Sequence, residues 1–253
     1  MNKEYHFYCM IGSITVIKYS VTSLVEKLID EDKNILILDT CCLLDVVRCI
    51  QRENLSELKS TIEIIDLFEK NQNKFVIVLS SLINTEWSDN ITLVLAETKN
   101  HVEKCDIAHR NLINSLQMIS PSTLESVWFS QYNLETILSG FSHKLLNLSF
   151  HLDNIKECES KAINRVVMRI PPAAQGKDSI KDCLIFEETI FLCNLLRSSG
   201  FSKKIVFSSS NTREYYRDRK PISQIADELK KSNTEIVTSL SHGYHLTQKD
   251  ESF

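Results

Sequence analysis

The chain alternates short unbroken apolar runs with longer stretches in which apolar residues recur every three or four positions. Three runs stand out: Ile35-Leu36-Ile37-Leu38, Phe75-Val76-Ile77-Val78-Leu79 and Ile205-Val206-Phe207. Such runs fit strands buried on both faces, the kind that parallel sheets contain. They predict strands over 34–39, 74–80 and 204–209, with a further one from Glu235 to Ser239. Helical spacing predicts helices over 41–52, 56–70, 85–119 and 179–198, and a short one after Pro221. Pro121 stops the third of these and Gly200 lies just past the fourth. Strands separated by helices imply parallel pairing through crossovers, hence an α/β fold.

One block departs from this rhythm. Between residues 123 and 170 the apolar positions Leu134, Ile137, Leu138, Phe141, Leu145, Leu146 and Leu148 keep helical spacing, with no convincing strand. Residues 91–170 therefore read as a helical insertion between the second and third sheet-forming segments of a domain spanning 34–240. Residues 1–33 read as an N-terminal extension, with a strand within Ile14 to Tyr19 and a helix capped by Thr22 or Ser23, and 241–253 as a C-terminal tail.

Composition narrows the class. With 43% hydrophobic residues, five Gly and four Pro in 253 residues, the chain reads as compact and helix-rich. Its net charge of −4 carries no global signature of nucleic-acid binding. The balance is uneven, however: Lys156 to Lys231 holds 15 basic against 10 acidic residues, a local +5 set against −9 elsewhere. A polyanion is expected to meet that region. The eight cysteines include no C-x-x-C pair and several fall in apolar runs, as small buried hydrophobes do in a reducing cytoplasm. His6, Lys18 and the lack of a small-residue cleavage pattern argue against a secretory signal, and no apolar run is long enough for a membrane span. Dinucleotide, Walker and serine-elbow motifs are all missing.

Three acids carry the candidate chemistry. Asp39 ends the first apolar run, Glu86 follows the second and opens a helix, and Asp182 opens the helix that leads into the third. An open α/β sheet builds its sites beyond the C-terminal ends of its strands. Carboxylates gathered there repel one another unless a cation neutralises them, and hard oxygen donors favour Mg²⁺ or Mn²⁺. Such ions activate water and stabilise the attacking and leaving oxygens of phosphodiester cleavage. Each acid also has a structural explanation: Asp182 lies in the capping-like Ser179-Ile180-Lys181-Asp182, Glu86 suits a helix dipole, and Asp178 reads as a loop acid. Asp39 is the hardest to dismiss, because a charge directly after four aliphatics requires a partner.

Four segments together resemble the PIN-domain (PilT N-terminal-like) nuclease family. Leu36-Ile37-Leu38-Asp39-Thr40-Cys41-Cys42-Leu43-Leu44-Asp45 is similar to its first strand and acid, and Val78-Leu79-Ser80-Ser81-Leu82-Ile83-Asn84-Thr85-Glu86-Trp87 to its second strand and glutamate. Lys181-Asp182-Cys183-Leu184-Ile185 and Ile205-Val206-Phe207-Ser208-Ser209-Ser210-Asn211-Thr212-Arg213-Glu214-Tyr215 resemble its later motifs. The resemblance spans about 34–90 and 176–240. It implies a flavodoxin-like parallel sheet of about five strands flanked by helices, a divalent-metal site at Asp39, Glu86 and Asp182, and cleavage of single-stranded RNA to 5′-phosphate and 3′-hydroxyl ends. Asn211 or Ser210 would position water or a ligand. One departure matters: Thr212 stands where the family often has Asp, so the fourth acid is missing, replaced by Glu214, or supplied by Asp178. A catalytically inactive PIN-like scaffold binding RNA or a protein partner is the alternative.

Basic residues supply candidate phosphate contacts. Lys161, Arg165 and Arg169 recur every fourth residue toward the loop bearing Lys177 and Lys181, while Arg213 and Arg217 flank Tyr215 and Tyr216. The alternatives are a solvated helix face and, for Tyr215, a place in the core. His101, Cys105 and His109 read as a polar helix face, since the outer pair of such a series lies about 12 Å apart. The insertion leaves a homo-oligomer or a protein partner open.

Overall fold

The computed structural model describes residues 17–120, 127–173 and 179–249. Its centre is β2 (Asn34–Leu38), in which Ile35 to Leu38 are all buried. A strand apolar on both faces must have neighbours at both edges and helices above and below. It has them: β3 (Phe75–Leu79) pairs along one edge and β5 (Ile205–Ser208) along the other, both parallel. Beyond β3 come β4 (Phe150–Leu152) and the edge strand β1 (Lys18–Tyr19), and beyond β5 comes β8 (Thr234–Val237). The sheet is thus six parallel strands in the order β1-β4-β3-β2-β5-β8. From β2 the chain steps outward through β3 to β4, then jumps back across β2 to β5. The reversal leaves a crevice between the C-terminal ends of β2 and β5, where open α/β sheets bind ligands.

Helices cover both faces, as a flavodoxin-like architecture requires. On one face α1 (Val21–Glu31), α6 (Lys156–Met168) and α9 (Ser223–Lys231) pack around α7 (Ile180–Ser198). On the other lie α2 (Thr40–Val47), α3 (Leu55–Glu69), the 37-residue α4 (Ile83–Ile119), α5 (Leu134–Leu148) and α10 (Leu240–Gln248). A four-residue helix, α8 (Thr212–Tyr215), and a small antiparallel ribbon of β6 (Tyr216–Arg217) and β7 (Lys220–Pro221) follow β5. No helix among the described residues is long and apolar enough to cross a membrane.

Several expectations need correcting. The segment 91–170 contains a strand after all: β4 fills a position inside the sheet, so this stretch is built into the domain rather than added to it. Residues before 34 give the sheet its edge strand and one helix, and Ser20 rather than Thr22 or Ser23 caps α1, its Oγ accepting from Ser23 N. The tail forms α10, which lies against β2 and β5. Gly243 permits that approach, because a Cβ there would lie 2.7 Å from Leu36 Cδ1. Finally, α2 ends at Val47, not near 52.

Candidate functional site

Asp39 follows β2 and occupies the N-cap position of α2, with extended backbone (φ −81°, ψ 155°), yet its side chain caps nothing. It turns toward β5 instead, where its Oδ2 accepts from Ser209 Oγ at 2.6 Å and from Cys41 Sγ at 3.3 Å. Its backbone N donates to Ser208 O at 2.9 Å, which extends the β2–β5 ladder to the mouth of the crevice. The next residue, Thr40, donates through Oγ1 to Glu86 Oε2 at 2.6 Å, tying α2 to the first turn of α4. On the other side Asn211 N donates to Ser209 Oγ at 3.2 Å and Asn211 Nδ2 to Asp182 Oδ1 at 3.0 Å. The result is one arc running Glu86, Thr40, Asp39, Ser209, Asn211, Asp182. Three acids separated by up to 143 positions in the chain are drawn to one sheet edge.

Electrostatics report the same convergence. Asp39 is 3% exposed, and burial pushes its carboxyl well above the ordinary carboxylate range. The Cys41 thiol adds to that elevation, as do the charges of Asp182 and Glu86, while the Ser209 hydrogen bond opposes it. Burial also raises the Cys41 thiol and, with help from Asp39 and Asp182, the Tyr215 phenol. Among the described residues neither Asp39 nor Glu86 has an ion pair with Lys, Arg or His.

The donors suit a hard divalent cation in kind: three carboxylates, an amide and two hydroxyls line the arc. They do not form a ready-made cage. Among the described residues no three His, Cys, Asp or Glu side chains stand together as a metal-holding group. Ser209, Thr40 and Asn211 each occupy an oxygen that an ion would take.

Glu214, Asn211's expected companion, is buried on α8, where its backbone N donates to Asn211 O at 3.3 Å. Asp178 and Lys177 lie outside the described residues. Asp45, which closes the first motif, is buried and paired with Arg52.

One acid went unnoticed in the sequence. Glu188, fully buried on α7, accepts from Ser80 Oγ (2.5 Å) and Ser81 N (2.9 Å) through Oε2, and from Ser81 Oγ (2.6 Å) through Oε1. It clamps the turn after β3, and so fixes the start of the helix carrying Glu86 against the helix carrying Asp182. Its only signal was its position six residues, under two turns, beyond Asp182.

The basic candidates separate into two kinds. Arg165 is 6% exposed, gripped by Glu187 and Glu228, bonded to Pro171 O, and stacked over Phe186 with its guanidinium carbon 4.9 Å from the ring centre. It is neither a solvated residue nor available to phosphate. Arg169, Lys181, Arg213 and Arg217 are exposed, and Lys181 pairs with Asp89 at 3.5 Å. Tyr215 is a core residue, fully buried between Phe186 and Phe207 with its hydroxyl donating to Asp182 O. His101 and Cys105 approach each other at 3.6 Å, while His109 faces the Phe129 ring.

No protein-family model, curated protein or solved structure matches the chain.

Proposed function

We propose that the chain is a PIN-like endoribonuclease that hydrolyses single-stranded RNA with Mg²⁺ or Mn²⁺. The observation that carries this reading is the hydrogen-bonded arc from Glu86 through Asp39 to Asp182 at the β2–β5 crevice. Asp39, Glu86 and Asp182 would hold the cation, which supplies an activated water and neutralises charge on the scissile phosphate. The chain's own groups do the rest. Thr40 and Asn211 orient Glu86 and Asp182, Ser209 orients Asp39, and Glu188 sets the spacing of the two helices that bring the outer acids in. Exposed Arg213 and Lys181, within two residues of Asn211 and Asp182, and Arg217 on the following β6 would attract the RNA backbone and offset the acids' repulsion of it. The seven described cysteines are all free thiols, which suits a reducing cytoplasm.

A second reading is a catalytically silent scaffold, favoured by Thr212 standing where the family often has a fourth acid and by the lack, among the described residues, of a ready-made metal-holding group. Cleavage of labelled single-stranded RNA by purified protein decides between them. Activity with Mn²⁺ or Mg²⁺ that EDTA and Asp39→Asn both abolish, leaving 5′-phosphate and 3′-hydroxyl ends, supports the nuclease. A folded wild type that cleaves no RNA under these conditions supports the scaffold.

A further inference from the structure

The helix α4 outruns the domain it packs against. Along it, Ile91, Leu95, Thr98, Val102, Cys105, His109, Leu112, Leu116 and Ile119 are spaced alternately by four and three residues, the repeat of a coiled-coil seam. As far as His109 this seam is covered or partly covered: Thr98 and Val102 are buried, and Cys105 and His109 are half-buried near the 3₁₀ turn Phe129–Tyr132. Beyond it, among the described residues, the cover ends. Leu112 is 66% exposed, Leu116 54% and Ile119 82%, with Met118 beside them. Residues 111–120 contain no charged side chain at all.

A solvated helix face is charged, and a covered one is not. This end has the composition of a covered face in the position of a solvated one. We propose that the overhanging end of α4 is a self-association surface, which pairs helix to helix with the same segment of a second copy. Two features select that occupant. The strict alternation of three and four asks for another helix rather than a strand or loop. The positions flanking the exposed seam, Ala108, Ile113, Ser115 and Ser120, are uncharged. Flanking charges are what steer coiled coils toward unlike partners and away from like ones, so here nothing repels an identical helix and nothing selects a different one. A two-fold arrangement makes the stripe its own complement.

This proposal does not depend on the cleavage reading. Sedimentation velocity of the full chain over a wide range of concentration tests it, with Leu112→Glu/Leu116→Glu as the perturbation. The expected result is a monomer–dimer equilibrium in the wild type that the double variant weakens about tenfold or more. At concentrations where both proteins are monomeric their melting curves should coincide, because both side chains are exposed in the monomer. Should the Glu pair impair folding by circular dichroism, Leu116→Gln serves as the milder probe and is read the same way. A wild type that remains monomeric throughout, or a dimer that survives substitution in a folded variant, overturns the proposal.

Discussion

Asp39→Asn should make the metal-free protein more stable while disabling it. The carboxylate is buried, repelled by Asp182 and Glu86, and without an ion pair among the described residues, so its charged form costs the fold energy. Asparagine has nearly the same volume, and its Oδ1 can still accept from Ser209 Oγ. Removing a desolvated, repelled charge recovers roughly 1–3 kcal/mol. Each kcal/mol raises the melting temperature of a chain this size by about 2–4 °C. The pH dependence fixes the cause. A carboxyl whose folded pKa is raised stabilises the fold fully below its unfolded value near 3.8, and that contribution is lost as pH rises through the elevated folded value. The stability gap between variant and wild type should therefore be small at acid pH, open as pH rises through the elevated folded value, and be largest at alkaline pH. Thermal melts in EDTA over a pH series measure it. Added Mn²⁺ should reverse the order, since ligand at a hundred times its dissociation constant contributes about 2.7 kcal/mol to the protein that binds it. A variant less stable than wild type at alkaline pH in EDTA, or a gap independent of pH, would refute the reasoning.

Two further substitutions probe the frame around the arc. Glu188→Ala leaves three buried donors at Ser80 and Ser81 without their acceptor, at about 1–3 kcal/mol each. A urea midpoint should report a loss of roughly 3–6 kcal/mol, tempered as the serine hydroxyls turn to new partners, and a loss under about 1 kcal/mol would show that the clamp is dispensable. Arg165→Ala strands Glu187 and Glu228 and should destabilise by about 3–5 kcal/mol while leaving the RNA affinity of the folded protein unchanged; a folded variant whose RNA binding drops would return Arg165 to the phosphate-contacting set.

The sequence disclosed those features whose cause is local. β2, β3 and β5 are uninterrupted aliphatic or aromatic runs, and only a strand covered on both faces needs one. Asp39 was legible for the same reason, as a charge at the end of such a run. β4 was not, because Phe150-His151-Leu152 continues the apolar spacing of the preceding helix and is a strand only by virtue of its neighbours β3 and β1. α10 has only Leu240, Tyr244 and Leu246 as large apolar side chains, and its packing depends on a close approach of Gly243 to Leu36 that no periodicity announces. Arg165 misled for a related reason: its spacing with Lys161 and Arg169 suggests one exposed face, yet Lys161 is exposed, Arg165 is buried against α7 and α9, and Arg169 lies past the helix end in a left-handed conformation. Ser209 and Glu188 had nothing in their own surroundings to mark them. Their partners lie 170 residues away for the one and 107 to 108 for the other.

The central claim is that Asp39, Glu86 and Asp182 act together on one divalent cation, and calorimetric titration with Mn²⁺ tests it most directly. Wild type, Asp39→Asn and Asp182→Asn would be titrated beside Asp66→Asn, a change at an exposed acid on α3. The expected result is saturable binding in the wild type and in Asp66→Asn, with affinity about tenfold or more weaker in each of the other two, as the loss of one charged ligand implies. Equal affinity in all four proteins would contradict the claim.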